Sequence, residues 1–380
     1  MAPRLALLRY ASIALLTFLS VWILHTTVDL ESGGVKRTHV LIVSSWRSGS
    51  SFLGQILNHH PDVFYVYEPA RMVWLKFPKE KAGLLHYPIR DLLRSLFACD
   101  ISPLYEYLPS SKYISNLPFW SESWALCSPP ACNALDLPTD YDQPICYRTC
   151  GHAPLTSMAE SCEAHSHVVL KTVRVLDLRY LLPLFQDPSL DLRVIHLVRD
   201  PRAVVLSRMK FQGYLNDEDL IVFREEQEKK KKKETQPNVT QVMGKICKAQ
   251  MSINEFARQA DKALQRKYLM IRHEDLSKEP LAVGKKIYEF AGLSFDEDVQ
   301  KWLHNVTHEK EPAKKGFMTF VGDSMQIVQK WRKELAYNVV VEIQDACAEA
   351  MELFGYRKVR NPKEQKNLAL NLVTDVEKDS

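Results

Sequence analysis

The stretch SSWRSGSSFLGQ, Ser44 to Gln55, decides the fold. The run THVLIV (residues 38–43) feeds into it and an apolar-periodic stretch leaves it, so the order is strand, tight turn, helix. At such a junction the first amides of the helix point into open space and carry partial positive charge, which suits an oxyanion. Gly49 lets the backbone approach closely, Ser48, Ser50 and Ser51 add hydroxyl donors, and Arg47 brings a formal charge. A nucleotide triphosphatase loop would read G-x4-G-K-S/T, its lysine on the terminal phosphates and its hydroxyl on Mg²⁺. This loop has one glycine and no lysine. It therefore reads as an anion site of a different kind, with a serine-rich turn that binds nothing as the bland alternative.

A second junction of the same type is IHLVRDPRAVVLSR, Ile195 to Arg208. Asp200 is placed to cap a helix with Pro201 at its first position, Arg199 ends the strand, and Ser207 lies on the helix. Further β-branched runs are HVVLKTV (167–173), LRVIHLV (192–198) and KYLMIRHEDL (267–276). Helical patterns lie between and after them. One is the stripe Ile253, Phe256, Ala257, Ala260 and Leu264. Another is SKEPLAVGKKIYEFAGL, ending near Gly292. A third is the face Val339, Ile343, Ala346, Cys347, Ala350, Met351 and Phe354, closed by Gly355. Strands alternating with helices predict an α/β fold with a central, mostly parallel sheet flanked by helices. Ligands of such a sheet sit outside the carboxyl ends of its strands, so both junctions present donors on one edge. Two anion sites there fit a nucleotide with phosphate at two positions.

VFYVYE ends at Glu68, and Pro69 forbids continuing the ladder, which puts that carboxylate at the same edge as a candidate general base. Its bland reading is a strand-end glutamate paired with Arg71. His59, His60 and His86 are weaker base candidates, the first two expected to be exposed in a loop before Pro61.

At 380 residues, 46% apolar and 25% charged, the chain can bury a real core, as one large domain or two ordinary ones. Its net charge of +4 is small for this length, so no nucleic acid is expected as a partner. Residues 10–28, YASIALLTFLSVWILHTTV, approach the ~20 residues a membrane-crossing helix needs. Residues 1–9 carry Arg4 and Arg9 and are expected to stay cytosolic, although Lys36 and Arg37 weaken the asymmetry. The alternative is a cleaved signal peptide, which usually has a shorter apolar core and a small-x-small cleavage site. Either way a brief stem, 29–37, leads to a body, 38–360, in an oxidising lumen. A polar tail, 361–380, follows and is open to disorder.

Eight cysteines, all beyond the apolar segment, fit disulfides. Six of them, Cys99, Cys127, Cys132, Cys146, Cys150 and Cys162, crowd one stretch and allow 15 pairings, among which the sequence does not choose. A zinc site on CSPPAC and CYRTC is the sharper but weaker reading, since the spacings are unusual and no well-placed histidine accompanies them. Residues 99–162 thus read as a disulfide-pinned insertion. NVT sequons at Asn238 and Asn305 are candidate glycosylation sites. Lys229 to Lys233 read as a solvated run, or as an attractor for a polyanionic acceptor.

In combination, SSWRSGSSF, YEPA (67–70) and VIHLVRDPRAVVLSR resemble the Golgi carbohydrate sulfotransferases. The resemblance is to the galactose, N-acetylglucosamine and N-acetylgalactosamine 6-O-sulfotransferases, nearest the intestinal and corneal N-acetylglucosamine type. It extends through HPDVFYVYEP, SHVVLKTVR, YLMIRHEDL, QKWRKEL and EQKNLALNLV, nearly the whole body. It implies a P-loop-like sulfotransferase fold, a type II Golgi membrane protein with a lumenal catalytic domain, and 3′-phosphoadenosine 5′-phosphosulfate as donor without a metal. The first loop, Arg47 to Ser51 with Phe52 closing the motif, would then bind the 5′-phosphosulfate, and Arg199 and Ser207 the 3′-phosphate. Arg47 would replace the missing lysine through its bidentate fork and also act in catalysis. Glu68 would take the acceptor proton, and Lys171 and Arg174 could contact sulfonate or acceptor or form a buried salt bridge. Trp331 and Arg332 match donor-closing segments only loosely. The acceptor would be the 6-hydroxyl of N-acetylglucosamine, or of galactose, in glycans of keratan sulfate or mucin type on glycoprotein or glycolipid. A lumenal phosphotransferase and an inactive glycan-binding scaffold are the competing readings. A homodimer is compatible with the sequence, which leaves the oligomeric state open.

Overall fold

A computed structural model describes residues 37–108, 112–135, 143–224, 236–308 and 324–375. The apolar segment 10–28, the stem as far as residue 36 and the Lys229–Lys233 run lie outside the described residues. Among those described, no helix is long and apolar enough to cross a membrane.

Five strands, β1 (Thr38–Ser44), β2 (Val63–Tyr67), β3 (His167–Thr172), β4 (Asp191–Val198) and β5 (Tyr268–Arg272), form one all-parallel sheet in the order β2-β3-β1-β4-β5. Their continuous apolar composition has the expected cause, since β1 to β4 are buried on both faces. Alternate residues serve opposite layers. Val40 and Ile42 pack with Leu53, Ile56 and Ile287 on one face, while Leu41 and Val43 pack with Phe64, Val66 and Leu93 on the other. From β1 the chain turns toward β3, and from β4 it turns toward β5. The order therefore reverses between β1 and β4, which opens a crevice at their carboxyl ends. Ser44 ties the two strands there, its Oγ donating to the Leu197 carbonyl at 2.7 Å.

Local signals set several helix ends. Asp200 caps the helix Pro201–Met209 by accepting from the Arg202 amide, and Gly292 (φ 81°) closes Pro280–Ala291. Three expectations need correction. The stripe Ile253 to Leu264 is not one helix: Val239–Gln259 stops at Ala260, and Asp261 caps a separate turn by accepting from the Leu264 amide at 2.9 Å. The run KYLMIRHEDL stops being strand at Arg272, because His273–Lys278 is helical with Glu274 and Asp275 favoured in its first turn. The C-terminal apolar face is two helices, Tyr337–Ala346 and Ala348–Leu353, parted at Cys347.

All eight cysteines are paired, as Cys99–Cys162, Cys127–Cys146, Cys132–Cys150 and Cys247–Cys347, which leaves no thiolate for the zinc alternative. The described parts of 99–162 pack Trp120, Trp124 and Leu126 into the main core rather than a second one. The polar stretch after Asn361 is folded onto the body over its described residues, 362–375, contrary to its composition. Pro362–Lys366 is helical, Gln365 and Leu372 are buried, and Arg332 donates to the carbonyls of Gln365 (2.9 Å), Leu370 (3.0 Å) and Asn367. A buried guanidinium satisfied by backbone carbonyls holds this segment together with the packing of Leu370, Leu372 and Val373 on the main core.

Candidate active site

A cleft of about 810 Å³ opens at the carboxyl ends of the central strands. Its wall includes Arg47, Gly49, Ser50, Ser51 and Phe52 from the first junction, Arg199 and Ser207 from the second, and Glu68, Lys171 and Arg174 from the ends of β2 and β3. Ser48 is the exception among the predicted donors: it is buried and its hydroxyl pairs with that of Ser45 at 2.6 Å, inside the loop.

The first loop bends through Arg47 (φ 69°) and Gly49 (φ 91°) into the helix Ser50–Asn58, whose N-terminus has no side-chain cap. Gly49 is required twice over. Its φ is left-handed, and a Cβ there would lie 2.6 Å from His273 Nδ1. The two junctions touch directly, with Arg47 Nε donating to Ser207 Oγ at 2.9 Å and Arg199 Nη1 donating to the Arg47 carbonyl at 3.0 Å. The Arg47 guanidinium lies 4.2 Å from the centre of the Phe211 ring. Arg199 is braced from below: the Asp200 amide donates to Glu274 at 3.1 Å, and Tyr356 donates its hydroxyl to the same carboxylate at 2.8 Å.

Glu68 is clamped by Lys171 of β3 at 2.5 Å and by Arg174 just beyond that strand, so its partners are these cations and not Arg71. Arg174 turns its other side to Glu218 on the helix Gln212–Phe223, at 2.5 Å, and Glu218 also accepts from the Trp46 indole. Lys171 Nζ rests 3.8 Å from the centre of the Tyr67 ring, whose hydroxyl meets Ser51 Oγ at 2.8 Å. Burial pushes the Glu68 carboxyl up, but Lys171 and Arg174 outweigh it and hold the group at about 2. Four non-glycine residues among those described have positive φ, and three of them, Arg47, Glu68 and Phe119, face this cleft. Backbone strain is thus concentrated where a ligand would sit.

The histidines considered as bases, His59, His60 and His86, do not line the cleft. His59 and His60 are buried rather than exposed: His59 stacks on Trp302 at 3.6 Å, and His60 meets Ser294 at 3.1 Å. His86 accepts from the Leu176 amide at 2.8 Å. Burial lowers His59 and His86 to about 4. Asn238 caps the helix Val239–Gln259 through its side-chain oxygen, and Asn305 is exposed on the helix Glu297–His308. Trp331 lines the cleft over Arg202 (4.1 Å), whereas Arg332 serves the C-terminal segment.

Two positions in the cleft escaped sequence reasoning. His273 is buried, neither of its ring nitrogens has a partner among the described residues, and it faces the Gly49 cradle. Its position at the end of β5 repeats the strand-end logic of the other junctions and could have revealed it. Glu218 had no such signal, because it reaches the site across space from a helix. The cleft wall carries seven lysine and arginine side chains against two glutamates. Its donors, its unpartnered histidine and the cradle over Gly49 fit a polyanionic nucleotide with phosphate at both ends.

Fold and site together define an enzyme that binds an anionic nucleotide at the switch point of a parallel sheet, and the sulfotransferase domain family model matches residues 37–355. The chain belongs to the carbohydrate sulfotransferases and is a transferase using 3′-phosphoadenosine 5′-phosphosulfate. Human carbohydrate sulfotransferase 6 is 41% identical over 90% of this chain and 86% of its own length. Carbohydrate sulfotransferase 4 of Mus musculus is 42% identical over 95% and 92%. Carbohydrate sulfotransferase 1 of the same species is 35% identical over 90% and 84%. The solved sulfotransferase domain from the curacin biosynthetic pathway covers 82% of this chain and 97% of its own, at 17% identity and a TM-score of 0.44, too distant to bear on the site.

Proposed function

We propose that this chain transfers a sulfonate group from 3′-phosphoadenosine 5′-phosphosulfate to the 6-hydroxyl of N-acetylglucosamine, with galactose as second acceptor, in glycans of keratan sulfate or mucin type. The observation that carries the reading is Glu68, an ionised carboxylate clamped by Lys171 and Arg174 beside the first anion loop. The motif resemblance supports the choice of acceptor. Arg47 and the uncapped helix amides would hold the 5′-phosphosulfate, Arg199 and Ser207 the 3′-phosphate, and His273 a further nucleotide acceptor or donor atom.

The donor supplies an activated sulfur: the acceptor oxygen bonds to it as the bond to the bridging oxygen breaks, leaving adenosine 3′,5′-bisphosphate. Glu68 takes the hydroxyl proton. Held at about 2, it is fully ionised at neutral pH but a weak base. An incoming sulfonate competes with Glu68 for Lys171 and Arg174, and as they turn to it the carboxylate gains basicity. Arg47 stabilises the charge that develops on the leaving oxygen. Among the described residues no group of three or more histidine, cysteine or carboxylate side chains is placed to hold a metal. Residues 10–28 would anchor the chain in the Golgi membrane with the body in the lumen, where four disulfides persist.

The test is the full-length chain from a eukaryotic host, incubated with radiolabelled donor and oligosaccharides ending in N-acetylglucosamine, galactose or N-acetylgalactosamine, with and without chelator. Label is expected on carbon 6 of N-acetylglucosamine whether or not chelator is present. Glu68→Gln should lose roughly 10²- to 10⁴-fold in kcat, and Arg47→Ala about 10²- to 10³-fold. Transfer undiminished in Glu68→Gln would remove the base assignment, and label confined to other sugars would remove the acceptor assignment.

A further inference from the structure

Arg71 opens the helix Ala70–Lys76 immediately after Glu68 and Pro69, and it lines the cleft. Glu68 does not pair with it. Among the described residues its guanidinium has no hydrogen-bond or ion-pair partner, and its Nε is buried without one. Its one side-chain contact of note is the Phe119 ring, 5.1 Å from Cζ to centroid.

The neighbouring cations are accounted for. Lys171 and Arg174 meet Glu68 and Glu218, and Lys210 and Lys330 share Glu334 at 2.7 and 3.5 Å. Arg47 and Arg199 belong to the nucleotide side of the cleft. A half-buried guanidinium that has shed part of its water without gaining an acceptor is costly, and the cost is recovered only when a ligand brings the acceptor.

The surroundings say which ligand. Arg71 stands on the Glu68 side, where the acceptor must enter. Phe119 is brought there by the disulfide-pinned segment, strained at φ 55°, and it leans on Tyr67 at 4.9 Å. It thus offers the acceptor wall an aromatic face beside a fork of N–H donors shaped for two oxygens.

Building on the sulfonate-transfer reading above, we propose that the preferred acceptor is an acidic glycan, and that Arg71 binds a carboxylate or sulfate ester on the sugar next to the one that is sulfonated. Phe119 packs under that neighbouring ring. Arg71 is a specificity residue and takes no part in the transfer itself.

The experiment uses the full-length chain saturated with adenosine 3′,5′-bisphosphate and three trisaccharides that differ only at the sugar flanking the terminal N-acetylglucosamine: neutral, carboxylate-bearing or sulfated. Calorimetry reads binding, and initial rates with active donor read KM and kcat. The acidic trisaccharides are expected to bind about 10- to 100-fold tighter than the neutral one, and their ranking identifies which anion is favoured. In Arg71→Gln that advantage should nearly vanish through KM, with kcat and bisphosphate affinity retained; Arg71→Lys should keep part of it. Equal affinity for neutral and acidic ligands, or an undiminished preference in Arg71→Gln, would overturn the proposal. An acidic preference in binding without any transfer would instead refute the transfer reading and leave this one standing.

Discussion

Glu68 adopts φ 46° at the end of β2, a conformation uncommon for a glutamate, and its carboxylate is held by Lys171 and Arg174. Its carboxyl sits at about 2 instead of the ordinary 4.5. A group depressed on folding adds stability that is complete above its unfolded value and is lost as pH falls toward its folded one. Thermal melts should therefore show a fall in Tm between about pH 4.5 and 2 that Glu68→Gln flattens. A wild-type and variant pair with parallel slopes over that window would mean that Lys171 and Arg174 do not hold the carboxylate in solution. Glu68 itself was legible, because a proline after a β run marks a strand end. Its partners were not: Arg71 is near in sequence, while Lys171 and Arg174 are brought to it only by the pairing of β2 with β3.

At the scale of elements, the strand-loop-helix junctions form the cleft wall where we propose that the nucleotide binds, and Gly49 makes the tight turn of the first. Gly49→Ala would require a left-handed alanine with its Cβ 2.6 Å from the buried His273 ring. The variant should bind adenosine 3′,5′-bisphosphate at least roughly tenfold more weakly by calorimetry, since either the loop or His273 must move. Unchanged affinity would show that the loop relaxes without cost. The strands were visible as apolar runs, β1 to β4 because a sheet covered on both faces needs them. Helix boundaries were less so. Asp261 breaks the stripe from Ile253 to Leu264 with a cap that hydrophobic period alone does not register.

For the molecule as a whole, the Cys247–Cys347 bond clips the helix Val239–Gln259 to the C-terminal helices across 100 residues of chain. Replacing both cysteines by serine should cost about 2–5 kcal/mol, seen as a lower Tm with the fold retained. An unchanged Tm would place the holding force elsewhere, for instance in Arg332 and the carbonyls it satisfies. Residues 362–375 illustrate why composition misled: the segment is polar overall, yet the Arg332 guanidinium bonds its carbonyls while Leu370, Leu372 and Val373 pack on the core.

Sequence alone determined the sheet's strands, the two strand-loop-helix junctions, the acidic strand end and the family, because each is written in contiguous residues whose local chemistry is complete. Tertiary structure alone decided the cysteine pairing, the clamp on Glu68, the place of His273 and Glu218 in the cleft, and the lack of a polar partner for Arg71 among the described residues. Those depend on which strand ends and helices meet in space, and charge pairing between distant segments leaves no periodic trace along the chain.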